Sequence, residues 1–162
     1  MADEVLTKRA KVVYDTICKA LDSENWKYSK DEENFAITTG AKGDDLPIDM
    51  LFLVDADAQV VTLYSPFQIK ANEDNRVDVA MATCILNDRL LHGSFDLDLG
   101  DGSVRFRMTT SYMGSILGED LFKYMAYTGA GTVDRYNEKI AALATGVIDL
   151  KQFLAILSKD EE

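Results

Sequence analysis

The chain has 162 residues and a net charge of −11 at neutral pH, and 47% of its residues are hydrophobic. A chain of this length forms one domain by default and can bury a substantial core. The negative charge disfavours nucleic acid and anionic membrane surfaces as partners, and no uncharged run approaches the ~20 residues that span a bilayer. We therefore expect a single domain over residues 1–162 that binds neither nucleic acid nor membrane.

Two cysteines, Cys18 and Cys84, fall on apolar positions of predicted helices. This placement is typical of buried free thiols in a reducing compartment rather than of a disulfide. The first residues are acidic and lack the basic and then apolar pattern of a secretory signal. We predict a cytoplasmic protein.

The first part of the chain predicts a helix followed by two β-hairpins. Apolar residues recur at helical spacing over residues 3–22. Alternating segments at 26–30 and 35–39 then predict a hairpin at a sheet edge. The second hairpin comprises residues 48–54 and 60–65, and the apolar run in its first arm predicts a central strand that is covered on both faces. Pro66 is expected to end the second arm.

A second helix is predicted from Asn72 to about Leu90, because a capping residue is followed by acids that favour a helix N-terminus. Its predicted core-facing side chains are Val77, Ala80, Met81, Cys84 and Ile85. The small residues around Met81 would also allow close packing against a second subunit. A homodimer is therefore an open alternative.

A further hairpin is predicted around Asp101 and Gly102, because Asp-Gly suits a two-residue type I′ turn. That turn places Leu99, Leu97 and Phe95 opposite Val104, Phe106 and Met108, respectively. On the other face it sets Asp98 opposite Arg105 and Asp96 opposite Arg107. These charged residues are interpreted as cross-strand partners rather than as a catalytic site.

The C-terminal part predicts three helices. The uncharged segment 111–118 is expected to cover the sheet, and helices are predicted at 119–128 and from Thr132 to the stop at Gly146, with a break at Gly129–Gly131. A last helix at 150–158 has Asp149 as its cap and Gln152 at the third helical position. The fold class is α+β, an antiparallel sheet of hairpins flanked by helices, in the order α-β-β-β-β-α-β-β-α-α-α.

No catalytic residue, metal site or cofactor site is predicted. His92 is the only histidine, and the sequence contains no Cys-x-x-Cys or His-Glu-x-x-His spacing. Aromatic and methionine side chains are typical of adaptable protein-binding surfaces, although the same pattern also packs cores. The candidate partner-binding residues are Tyr112, Met113, Tyr124 and Tyr127.

The second half of the chain resembles the YbjN family of bacterial sensory transduction regulators. The resemblance covers roughly residues 70–150 and rests on residues 87–95, Asp98, residues 101–107, residues 134–136, Ile140 and Gly146. It implies a single YbjN-like domain, similar in fold to the type III secretion chaperones. Those are small acidic proteins of order α-β-β-β-α-β-β-α that commonly dimerise and bind extended client segments. The present chain differs by an extra strand in its first half and an added helix at Leu150.

These observations favour a non-enzymatic protein-binding module, regulatory or chaperone-like, whose partner is a protein or peptide. The alternative is a small-ligand sensor or an enzyme whose site is assembled from scattered residues. A deep pocket with converging polar groups would favour that alternative, whereas a shallow apolar groove would favour the binding module.

Overall fold

The structure, a computed structural model, describes residues 3–160. Its helices are α1 (Glu4–Ser23), α2 (Arg76–Arg89), α3 (Glu119–Ala144) and α4 (Leu150–Lys159). Its strands are β1 (Tyr28–Asp31), β2 (Ala36–Lys42), β3 (Pro47–Asp55), β4 (Val60–Lys70), β5 (Ser94–Leu97) and β6 (Ser103–Ser111). A short 3-10 turn, Glu73–Asn75, leads into α2.

All six strands form one antiparallel sheet in the order β1-β2-β3-β4-β6-β5. Helices α1 and α3 contact each other and the sheet, while α2 packs against β5, α3 and α4. Alternate strand residues point into this core, among them Ile37, Phe52, Leu63 and Phe106. The predicted α+β class, the edge position of the first strand and the central position of β3 are confirmed.

The outward side chains of β3 are less covered than predicted. Leu51 and Leu53 alternate with the buried residues of this strand and are only half-buried. The prediction that both faces of β3 are covered is therefore wrong, because the helices that pack on β3 contact its other face.

Strand β4 does not end at Pro66 but continues to Lys70. Its register with β6 shifts between Pro66 and Lys70, which marks a β-bulge or irregularity. Such irregularities tolerate a proline within a strand because the missing N–H falls where the ladder is already interrupted. The predicted strand end was therefore wrong.

The hairpin between β5 and β6 forms in a different register from the predicted one. Phe95 lies opposite Phe106, and Leu97 lies opposite Val104, so the pairing is displaced by two residues and each side chain keeps its face. Gly102 takes a positive φ of 79° and donates its N–H to the Asp98 carbonyl at 2.8 Å. Asp98 therefore lies in a longer turn rather than opposite Arg105.

The buried face of α2 is not the predicted one. Its buried residues are Val79, Ala82, Thr83 and Leu86, which also follow helical spacing. Val77, Met81 and Cys84 are exposed instead. Apolar side chains occur on both sides of this helix, so periodicity alone could not choose between them. Of the two cysteines predicted to be buried, only Cys18 is buried.

The two helices predicted on either side of Gly129 are one continuous helix, α3. Gly129 is buried against the sheet, and a Cβ atom built there would lie 2.7 Å from Cδ2 of Leu63. This glycine allows the helix to approach the sheet closely rather than breaking it. The predicted helix end at Gly146, with φ of 78°, and the Asp149–Gln152 capping box are both present.

Candidate partner-binding surface

Tyr112 lies in the core and not on the surface. Its side chain is only 1% exposed, and its hydroxyl donates to the carbonyl of Asp55 at 2.9 Å. The guanidinium of Arg9 donates to the Tyr112 carbonyl, also at 2.9 Å. Tyr112 therefore fixes the end of β6 against α1 and the β3–β4 turn, which corrects its prediction as a partner-binding side chain.

Tyr124 and Tyr127 lie three residues apart on α3, and both are exposed. Each makes an edge-on aromatic contact at 5.5 Å between ring centroids, Tyr124 with His92 and Tyr127 with Trp26. The Tyr127 hydroxyl donates to Glu24 at 2.6 Å, and this hydrogen bond raises the pKa of Tyr127. Both tyrosine rings are thus oriented by neighbours while keeping surface open to solvent.

Met113 lies in the segment that connects β6 to α3. This segment runs beside α1, and a groove of about 230 Å³ between them is lined by Arg9, Val12, Val13, Thr16, Tyr112, Ser115, Ile116 and Leu117. Met113, Val12 and Ile116 are exposed, Ile116 almost completely, at 97%. The prediction that segment 111–118 covers the sheet is wrong, since the segment borders a groove on α1 instead.

We call Val12, Met113, Ile116, Tyr124 and Tyr127 the α1–α3 surface. Val12 and Ile116 line the groove on α1, and Tyr127 contacts Glu24 at the end of the same helix. The helical rise places Glu24 about 18 Å from Val12 along α1. Sequence reasoning missed Val12 and Ile116. The sequence feature that indicated exposure of Ile116 is its position between Gly114 and Gly118 in an uncharged segment, where few large side chains are near enough in sequence to bury it.

Asp96, Arg105 and Arg107 of the β5–β6 hairpin are paired with each other. Asp96 accepts from Nε of Arg107 at 2.7 Å and lies 3.5 Å from Nε of Arg105. Partial burial acts to raise the pKa of Asp96, but the hydrogen bond and charge of Arg107 outweigh it and hold that pKa below its usual range. The predicted partnership of Asp96 with Arg107 is present, although their backbones are not directly opposite.

Within residues 3–160, no three His, Cys, Asp or Glu side chains come together in a group that could hold a metal ion. His92 is exposed beside Tyr124. In the same part of the chain, no helix has both the length and the apolar character needed to cross a membrane.

Solved structures share this fold at low sequence identity. A chain of the ExsC–ExsE complex matches with a TM-score of 0.60 and 10% identity, over 82% of the present chain and 96% of its own. A chain of the HopA1–SchA chaperone–effector complex matches with a TM-score of 0.55 and 12% identity, over 79% and 94%. The fold is thus an α+β fold that resembles those of type III secretion chaperones.

The family model described as "Putative bacterial sensory transduction regulator", YbjN, matches residues 14–142. The chain belongs to the YbjN family. The crystal structure of YbjN from E. coli matches with a TM-score of 0.57 and 11% identity, over 75% of the present chain and 86% of that protein. A comparison with curated proteins gives no match.

Proposed function

We propose that the chain is a non-enzymatic, regulatory or chaperone-like protein that holds an extended segment of a partner protein in the bacterial cytoplasm. The observation that carries the proposal is the exposure of Ile116 beside the groove on α1. Burying an isoleucine side chain contributes about 1.5–3 kcal/mol. A partner that covers Ile116 and the exposed Val12 and Met113 therefore buries apolar surface that is in contact with water in the isolated chain, and this burial favours binding.

The geometry of the α1–α3 surface suits an extended segment. The distance of about 18 Å from the groove to the end of α1 corresponds to about six residues of extended chain. Met113 offers an adaptable apolar contact, and the rings of Tyr124 and Tyr127 offer aromatic contacts of the kind enriched at interfaces. The net charge of −11 favours a partner segment that is neutral or basic.

Two comparisons support this proposal. The HopA1–SchA structure is described as a chaperone–effector complex, so a protein of this fold binds a protein partner there. The YbjN family description is regulatory and names no reaction. Asp96 lines a pocket beside the β5–β6 hairpin, but its carboxylate is already paired there with Arg107.

Site-specific photo-crosslinking tests the proposal. A photoreactive phenylalanine analogue replaces Ile116 or Tyr124 in the full chain, and the control analogue replaces Val147, which is exposed at 75% but lies outside the α1–α3 surface. After irradiation in the native cell, we expect one shared protein partner from positions 116 and 124, attached through one short segment. Equal crosslinking from position 147, or no protein crosslink from 116 and 124, contradicts the proposal.

We further propose that the chain forms a homodimer through the outward stripe of α2, which consists of Val77, Met81 and Cys84. Val77 is 70% exposed, and the neighbouring Ala80 is small enough to permit close approach of another helix. A two-fold axis through this stripe would pack it against itself, as in the commonest class of homo-oligomer. This stripe shares no residue with the α1–α3 surface.

A further inference from the structure

Strands β3 and β4 separate from each other at one end. Their pairing ends where Leu51 lies opposite Tyr64, although β3 begins at Pro47 and β4 continues to Lys70. Continued pairing would place Asp49 opposite Pro66, which has no N–H to donate. The hydroxyl of Ser65 donates to the Asp49 carbonyl instead, at 2.6 Å. The separation is thus built into the sequence at Pro66.

A cavity of about 70 Å³ fills the space between the separated strands and α3. Because one water molecule needs ~10–15 Å³, the cavity has room for several waters or for one small organic molecule. The residues that line it are Leu46, Pro47, Ile48, Ser65, Pro66, Phe67, Gln68, Ile69, Val133, Asn137 and Ala141. These lining residues, all within the described chain, are apolar or uncharged polar.

Asn137 lines this cavity from α3 and is only 3% exposed. Its Oδ1 accepts from the backbone N–H of Glu138 at 2.6 Å, which identifies the oxygen of the amide. Its Nδ2 has no hydrogen-bond partner among residues 3–160. A buried donor without a partner destabilises a folded protein, so the position of this amide beside a cavity points to a ligand that accepts the hydrogen bond.

We propose that the cavity binds a small neutral molecule with an apolar body and one hydrogen-bond-accepting oxygen, such as a ketone, ester or amide. The accepting oxygen takes the hydrogen bond from Nδ2 of Asn137, and the apolar body contacts Phe67 and Val133. A charged molecule is disfavoured, because the lining offers no opposite charge to offset its desolvation. This site shares no lining residue with the groove on α1, and it would make the chain responsive to a small molecule as well as to a protein.

Cyclopentanone is a suitable probe, with cyclopentane as the control without oxygen and cyclopentanecarboxylate as the charged control. The full chain, labelled with ¹⁵N, is titrated with each compound while the side-chain NH₂ signals of Asn137 are followed by NMR. We expect a saturable shift with cyclopentanone, binding of cyclopentane that is about tenfold weaker, and no saturable binding of the carboxylate.

Two variants locate the site. Asn137→Leu removes the donor and should weaken cyclopentanone binding about tenfold, as judged from neighbouring backbone signals. Ala141→Leu fills the cavity and should abolish binding, whereas Ala155→Leu on the exposed side of α4 should leave binding unchanged. The proposal is overturned if cyclopentanone gives no saturable shift or if Ala141→Leu binds it normally. It is also overturned if the Asn137 NH₂ group contacts only a water that no probe displaces.

Discussion

The amide side chain of Asn87 makes two hydrogen bonds with the backbone of Phe95. Its Oδ1 accepts from the Phe95 N–H at 2.7 Å, and its Nδ2 donates to the Phe95 carbonyl at 3.0 Å. Asn87 lies on α2, and Phe95 lies on β5, the last strand of the sheet. The side chain therefore occupies the position of a neighbouring strand and closes part of an edge that would otherwise be open to pairing. These two hydrogen bonds also give a physical reason for the number of residues between Asn87 and Phe95 in the segment 87–95.

Replacing Asn87 should destabilise the fold. Asn87→Ala removes both hydrogen bonds and leaves the part-buried N–H and carbonyl of Phe95 without these partners. We therefore expect the free energy of unfolding to fall by about 1–3 kcal/mol. Urea denaturation measures this change. The control is Asp88→Ala, one residue further along α2 and exposed, which should change stability by less than about 0.5 kcal/mol. Equal stability of the two variants would show that the Asn87 contact contributes nothing.

The two glycines of α3 should respond differently to alanine. Gly131 has open space where a Cβ atom would be added, so Gly131→Ala should stabilise the helix by about 0.5–1 kcal/mol. At Gly129 the added Cβ would press on Leu63, which is completely buried and has little room to move. Gly129→Ala should therefore lose that gain or destabilise the protein. Thermal unfolding of both variants provides the measurement, and a gain at Gly129 as large as that at Gly131 would refute the close-packing role.

Local pattern predicted most elements correctly, and it failed where one pattern fits two structures. The alternation around Gly102 is satisfied by two registers that differ by two residues. The longer turn is held by the hydrogen bond from the Gly102 N–H to the Asp98 carbonyl and by those from Arg76 to the Leu99 and Gly100 carbonyls. In α2, the stripes containing Met81 and Leu86 both have helical spacing. The choice between them depends on contacts with β5 and α3, which are distant in sequence.

The candidate site was predicted only in part for a related reason. Tyrosine type alone does not distinguish Tyr112, whose hydroxyl finds a backbone partner in the core, from Tyr124 and Tyr127 on the outer face of α3. The cavity beside Asn137 could not be foreseen, because it depends on how β3 and β4 separate around Pro66. The sequence feature that indicated this separation is Pro66 within an apolar strand, but a proline at that position also predicts the end of a strand.

The ion pair of Asp96 with Arg107 should make the stability of the fold depend on pH. The pKa of Asp96 is lowered in the folded protein, so the pair stabilises the fold at pH values above the ordinary carboxyl pKa of about 3.9. That contribution is lost as the pH falls through the lowered folded-state pKa. We expect Asp96→Asn to be less stable than the natural chain near pH 7, with the difference shrinking below about pH 4.

Urea unfolding from pH 7 down to pH 3 measures the effect of the Asp96 substitution. Arg107→Met is the complementary variant, because it removes the positive partner and should reduce the same pH-dependent difference. If the gap between the natural chain and Asp96→Asn stays constant across this range, the ion pair is not its source.

The outward stripe of α2 should determine the oligomeric state. Met81→Glu places a charge at the centre of the proposed interface, and in a two-fold dimer the two charges would face each other. We expect light scattering to give a dimer mass for the natural chain and a monomer mass for Met81→Glu, with Val147→Glu remaining a dimer. A monomeric natural chain, or a Met81→Glu variant that stays dimeric, would rule out this interface.

The affinity of the crosslinked partner segment for the chain tests whether the α1–α3 surface binds a partner protein. The segment is synthesised as a fluorescent peptide, and its Kd is measured by anisotropy against the natural chain, Ile116→Glu and Val147→Glu. Both substitutions replace an exposed aliphatic side chain with the same charge, and of the two positions only Ile116 belongs to the α1–α3 surface. We expect at least tenfold weaker binding for Ile116→Glu and an unchanged Kd for Val147→Glu. Equal affinities of the two variants would contradict this expectation.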